Sequence, residues 1–292
     1  VKFQRIYILT VGIDDVGTTV TIASPITLHF DVQRTTLSSA NTGRFQVLNL
    51  KEETRKKIFH DRYDTATFRH VVLQAGYVGQ NPLPVIYQGN IVSAYSYRRR
   101  ADWVTEIEAF DGGKAILTSQ VDQTLPAGTT LQDMMTTLMK TMSGNQVTPG
   151  AVGAFSGQGT RGVTLVGNSW DILTRTAQDQ GGAAFIDQEK VHVLRKTEYL
   201  KGVAGIPLLS SSTGLLKAQR RFKGRVDVEL MFESRLSVGQ LVELQSAERF
   251  NNGQYRVEGV RHSGTISAAV DGGVVTTANL WDGLSALTGV QV

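Results

Sequence analysis

Several residue types in this chain stand at spacings used by catalysis or cofactor binding. Gly157, Gly159 and Gly162 in "GQGTRG" make a G-x-G-x-x-G run, a helical pattern follows, and Asp187 comes 25 residues after Gly162, where a dinucleotide site would need its ribose-binding acid. That chemistry requires the glycines to join a buried strand directly to a helix N-terminus, so that backbone amides meet the pyrophosphate. Here a Gly/Ala/Ser loop precedes them and the β-branched run "VTLV" stands between them and the helix. No cofactor site is expected.

The five histidines, His29, His60, His70, His192 and His262, show no H-x-x-x-H or H-E-x-x-H spacing. The chain has no cysteine, so a metal site would have to gather ligands from distant strands. There is no G-x-S-x-G elbow, and Ser169 in "GNSWD" reads as a neighbour of a helix N-cap. Glu106 and Glu108 could flank a glycosidic bond, but carboxylates at i and i+2 on a strand are the ordinary pattern of a solvated face. The expected inventory is therefore no catalytic residue, no cofactor and no metal.

The elements that carry these residues are mostly strands. Thirty glycines, six prolines and recurrent Thr/Val alternation in 292 residues describe many short strands joined by tight turns. The length calls for two or three units, and without cysteines packing alone must hold them together. A net charge of +4 is too mild for a dedicated nucleic-acid binder. The stretch Ile6–Val11 is broken by Gly12 and aspartates, and no run approaches the roughly 18 apolar residues of a membrane span. A soluble chain without stable membrane insertion or a leader is expected.

Periodicity divides the chain into β, α+β and β. Strands fill 6–50, "KEETRKKIF" makes one or two helical turns that cover a barrel mouth or form a contact, and strands resume before a long hairpin over 87–113. Leu131, Met134, Met135, Leu138, Met139 and Met142 form a 3.6-residue stripe behind a Thr130/Asp133 capping signal. A second helix spans about 168–180, and the hairpin "AAFIDQEKVHVLRK" follows. Asn252-Gly253 then predicts a type I′ turn. The fold class is mainly β with a small α+β insert. Two tube-like β-barrel domains, 1–112 and 201–292, flank a helix-containing middle domain, 113–200, and the two barrel-like ends are able to share a face.

The 87–113 hairpin holds the least explained residues. Strict alternation puts Tyr87, Gly89, Ile91, Ser93, Tyr95 and Tyr97 on one face, and sets Trp103, Thr105, Ile107 and Ala109 against Val104, Glu106, Glu108 and Phe110. Apolar residues on both faces suit a core on one side and a neighbouring domain or subunit on the other. At its tip Arg98, Arg99 and Arg100 fit a solvated turn, a dock for a partner's carboxylates, or a contact with passing nucleic acid. Arg220, Arg221, Lys223 and Arg225 form a second basic stretch open to the same readings.

Two blocks resemble the baseplate hub proteins of tailed bacteriophages, the tube-to-spike adaptors of contractile tails. One is "VVLQAGYVGQNPLPVIYQGNIVSAYSYRRRADWVTEIEAFDGG"; the other runs from "SSTGLLKAQRRFKGRVDVELMFESRLSVGQLVELQS" to "NNGQYRVEGVRHSG". The resemblance implies a non-enzymatic homotrimer whose three chains present six similar barrels to the hexameric tail tube and three-fold symmetry to the spike. It also implies tube, spike and tape-measure partners, DNA only in passage through the channel, a place in the virion baseplate, and assembly in the host cytoplasm. Arg98, Arg99, Arg100 and Trp103 become partner-contact candidates, with the hairpin as ring wall and Trp103 in a packed face. A hub or spike component of a phage-like secretion or tailocin device is the nearest alternative, and a tail-associated cell-wall hydrolase is the alternative from another class.

Overall fold

The computed structural model describes residues 4–14, 16–37, 40–64, 66–202, 205–222, 224–268, 272–283 and 287–291. Lys223 of the second basic stretch lies outside them. The first third contains β1 (Arg5–Gly12), β2 (Thr19–Ala23), β3 (Leu28–Thr35), β4 (Thr42–Leu48), α1 (Glu52–Ile58), β5 (His70–Tyr77), β6 (Val85–Arg99) and β7 (Asp102–Phe110). The middle holds α2 (Gly113–Thr118), β8 (Gln120–Leu125), α3 (Leu131–Met142), β9 (Thr148–Val152), β10 (Val163–Asn168), α4 (Ser169–Asp179), β11 (Gly182–Asp187) and β12 (Lys190–Arg195). The last third adds β13 (Glu198–Lys201), β14 (Leu208–Ser210), β15 (Leu215–Phe222), β16 (Arg225–Met231), β17 (Leu241–Gln245), β18 (Gly253–Ile266), β19 (Val274–Trp281) and β20 (Thr288–Gln291).

The fold is mainly β, as the alternation implies. One sheet runs β15-β16-β19-β18-β3-β4-β7-β6-β5-β1-β2, with β17 and β14 branching from β18. Strands of the first and last thirds join within it where β3 pairs antiparallel with β18, from Leu28 opposite Ile266 to Thr35 opposite Gly259. Alternate residues of each strand point to the core: Leu28, Phe30 and Val32 of β3 and Phe45 and Val47 of β4 are buried, and Phe232, Ile266 and Val274 from the last third join them. A second cluster gathers the inward stripe of α3, with Trp170 and Leu173 of α4 and Ala184, Val191 and Val193 of the β11–β12 hairpin. A third fills the space between β16–β19 and Phe185 and Leu194 of that hairpin.

The two longer helices, α3 and α4, start where side chains cap them. Thr130 accepts from the Asp133 amide and donates to its carboxylate, which is one arm of a capping box, and Asn168 accepts from the amides of Trp170 and Asp171. β10 lies between the 157–162 glycines and α4, and the Gly159 amide donates to Thr129 O. Asn252-Gly253 does not form the expected two-residue turn. Asn252 Oδ1 instead accepts from the Ser246 amide and closes a longer loop over the 3₁₀ turn Arg249–Asn251. The two-residue turn with φ > 0 at both positions falls at Gln188 and Glu189, φ 50° and 60°, between Asp187 and Lys190.

That turn is held from outside. Gln188 donates to Val85 O and accepts from Gln88 through its own carbonyl; the Glu189 amide donates to Asp111 Oδ1, and its carboxylate meets His70 Nε2. Beside it lies Arg34, 1% exposed, with Nη1 at 3.4 Å from Asp187 and Nη2 donating to Leu236 O. Asn41 Nδ2 donates to Ile186 O at 2.7 Å, and Asn41 O receives the Asp111 amide. Asp187, the apparent ribose acid of the sequence, is thus an internal counter-ion between the sheet and the middle segment. Burial raises its pKa against the pull of Arg34, while burial and then the Asp187 charge push Asp111 well above the carboxylate range.

Two outcomes follow. Arg34→Met is expected to lower the urea midpoint by the equivalent of about 3–5 kcal/mol, because it leaves Asp187 buried without its cation; adding Asp187→Asn should recover part of the loss. Asp111 has a raised folded pKa, so its contribution is full below the unfolded carboxylate value and is lost as pH rises through the folded one. Asp111→Asn is therefore expected to gain on the wild type progressively from about pH 4 upward, and parallel stability–pH curves would contradict this.

Candidate assembly surface

The long hairpin is built from two strands of unequal role. In β7 the alternation holds from Thr105 onward: Thr105, Ile107 and Ala109 are buried, Glu106 and Glu108 are half-buried and Phe110 is exposed, whereas Trp103 is exposed and Val104 buried, the reverse of the pattern. In β6 the expected single face is broken by β-bulges. The register against β5 shifts between Leu73 and Gln74, which buries Ile86 and Tyr87 together, and the register against β7 shifts between Ile91 and Ser93. Each extra residue reverses the facing beyond it. Ile91 and Ala94 consequently both enter the core, and Tyr95 and Tyr97 turn outward, stacked on each other with centroids 5.9 Å apart.

The outward face is polar and continues across strands far apart in sequence. Tyr95, Glu106, Gln46, His29 and Thr265 form one cross-strand row, and Ser93, Glu108, Arg44, Asp31 and Ser263 form the next. Neighbours in the rows satisfy one another: Gln46 donates to Glu106 at 3.3 Å, Arg44 meets Glu108 at 3.4 Å, His29 Nδ1 and Thr265 lie 2.6 Å apart, and Arg261 reaches Asp31 at 2.6 Å. Both signs of charge are interspersed. Burial, then the nearby Arg99, holds the His29 pKa below its ordinary value.

At the tip Arg99 pairs with Asp102, and a two-residue loop closes the hairpin with Arg100 at φ 59°, a position usually given to glycine or asparagine. Arg98, Arg99 and Arg100 are all exposed. Trp103 is 38% exposed, so within one subunit it is not in a packed face. The Arg55 guanidinium of α1 lies 3.7 Å from its ring centroid, and Asn49 ties the backbone and Asp102 beside it. Glu52, Arg55, Lys56, Phe59, Ser96 and Trp103 line an open groove of about 420 Å³. The chain after α1 is pinned to β6 by the mutual backbone bonds of His60 and Ala94, so α1 covers the tip end of the hairpin. Glu52 and Glu53 are paired with Lys56 and Lys57 along α1, which leaves Arg55 and the three tip arginines to set the local charge.

Among the described residues no group of three or more His, Asp or Glu is arranged to hold a metal, and no helix is long and apolar enough to cross a membrane. The histidines are spent elsewhere. His192 Nδ1 accepts from the Ala151 amide with a pKa lowered to about 4 by burial, and His262 meets Thr276. Glu106 and Glu108 belong to the polar rows.

The model of the family described as "Baseplate hub gp41" matches residues 8–263. No curated protein matches the sequence. The 43 kDa tail protein of prophage MuSo2 from Shewanella oneidensis superposes with a TM-score of 0.60 at 9% identity, over 97% of this chain and 99% of that one. A tail protein from Neisseria meningitidis MC58 gives 0.59 at 13% identity, over 95% and 97%. The E. coli c3393 protein, a component of a type VI secretion system, gives 0.53 at 12% identity, over 88% and 74%. At these identities the likeness is one of fold.

Because Trp103 is partly exposed, Trp103→Asp is expected to cost the isolated subunit only about 1–2 kcal/mol, through the lost Arg55 stacking. Serine at 98, 99 and 100 together should leave the thermal midpoint within a few degrees of wild type, since exposed charges contribute little.

Proposed function

Since the chain belongs to the baseplate hub gp41 family, we propose that it forms a homotrimeric ring joining the hexameric tail tube to the trimeric spike around the ejection channel. The observation that carries this reading is the pair of polar cross-strand rows running over β6, β7, β4, β3 and β18, opposite an apolar core. A channel wall that DNA and a tape-measure protein must pass needs such a surface: interspersed charges already satisfied by neighbours, with no single-sign stripe to grip a polyanion. In this reading 1–112 and 201–292 are the two tube-like units, joined through β3 and β18, and 113–200 packs beside them. Three chains then present six comparable units above and three-fold symmetry below. Tube, spike and tape-measure proteins are the partners, the virion baseplate is the location, and assembly takes place in the host cytoplasm. The role is mechanical, without catalysis.

The exposed arginine tip, with Trp103 and the α1 groove beside it, is the surface assigned to a carboxylate-bearing partner in the tail. The likeness to the type VI component favours, as second reading, the same role in a phage-like secretion device, which differs in what is ejected.

Light scattering is expected to give a particle of about three times 31.8 kDa, alone or with its spike, and negative-stain images should show a ring with a central hole. A species that stays monomeric with the spike present would overturn the proposal. Serine at 98–100 should weaken attachment of the tube or spike most at low salt, as screened rim charges do.

A further inference from the structure

A cavity of about 180 Å³ opens where the first, middle and last thirds of the chain converge, far from the arginine tip in sequence. Four cationic side chains line it: Arg195 at the end of β12, Lys196 after it, Arg225 of β16 and Arg256 of β18. Glu258 is its single lining acid, shared between Arg225 at 3.2 Å and Arg256 at 3.0 Å. The next acid, Glu198, has its carboxylate occupied by the amides of Ala154 and Arg195, both at 2.8 Å. Among the residues that line the cavity, cations outnumber acids.

Internal bonds fix the cationic wall in place. Arg256 is 5% exposed; its Nη1 is spent on Arg195 O and Glu198 O and its Nη2 on Glu258, yet its Nε is buried without an acceptor. The Nε of Arg195 is buried and unpaired as well, and that guanidinium lies 5.4 Å from the Phe155 ring centroid. Burial pushes the Arg256 pKa down while Glu258 holds it up. Apart from Thr36, whose hydroxyl donates to Glu258 O, the remaining walls are apolar: Phe185 and Leu194 at the back, Leu37 at the rim, and Trp281, whose Nε1–H is engaged by Lys196 O.

We infer that this cavity binds a carboxylate carried on a short apolar or aromatic body. Guanidinium donors fit a planar carboxylate, and a recess with low-dielectric walls focuses the positive potential on it. A bare, hydrated anion would leave the aromatic and aliphatic walls without contact, whereas a carbon body fills them. The site stands independently of the hub assignment, and the carboxylate can arrive on a protein segment or on a small molecule.

The full chain is titrated with sodium phenylacetate at constant ionic strength, with chloride and inorganic phosphate as comparison anions. The melting temperature is expected to rise with phenylacetate, and to keep rising with the logarithm of its concentration above Kd. Arg195→Gln with Lys196→Gln, both at the partly exposed side of the site, should weaken the response at least about tenfold, while Arg98→Ser leaves it unchanged. Lys196→Glu supplies a tethered carboxylate; it should raise the ligand-free melting temperature and abolish the response. Tighter binding of the capped tripeptide Leu-Glu-Phe than of phenylacetate assigns the carboxylate to a protein segment, and the reverse order assigns it to a small molecule. No shift with either, an undiminished shift in the double glutamine variant, or a stronger response to phosphate would overturn the inference.

Discussion

One buried cation fixes how the three parts of this chain meet. Arg34 leaves a strand of the first third, neutralises Asp187 of the middle, and donates to the carbonyl of Leu236 in the last. A guanidinium taken out of water is tolerable only where acceptors already wait in place, so each of those backbone segments has to arrive at a set position. Asp111 and Asn41 extend the constraint to the end of the long hairpin. The contacts to Asp187 are long, at 3.4 and 3.5 Å, and Arg34 Nε lacks a partner, so the node specifies an arrangement more than it adds stability.

With the node in place, one sheet can serve two sides. Its inner face is a conventional core; its outer face repeats short polar ladders from the hairpin to the last third. The bulges in β6 connect the two. Without the shift between Ile91 and Ser93, Tyr95 and Tyr97 would lie in the core and Ala94 outside it, and the polar rows would end at β7. The extent of the polar surface thus depends on one unpaired residue in one strand.

Much of this was legible in the sequence. The strand alternation, the α3 stripe, both helix caps and the β11–β12 hairpin all follow from local rules, because each is set by side chains within a few positions. The misreadings share a cause. Asn252-Gly253 looked like a turn and is not, while Gln188-Glu189 adopts the turn geometry without glycine or asparagine, held by Val85, Gln88 and Asp111 from about a hundred or fewer residues away. Arg34, Asp187 and the cationic cavity carry no local signature at all, since only the assembled chain brings their partners together. Alternation is equally silent on Trp103, which in one subunit sits partly exposed at the end of the hairpin under α1.

The pairing of β3 with β18 also sets a timetable for synthesis. Leu28 waits for Ile266, so one edge of the first third stays bare while more than two hundred intervening residues are made, a delay on the order of tens of seconds at about 5–20 residues per second. During that interval β3 offers a nascent chain the alternating hydrophobic edge on which neighbouring polysomal copies could stack. The late-arriving β18 is what covers that edge, so a finished subunit differs from an unfinished one in having no bare β3 edge to offer.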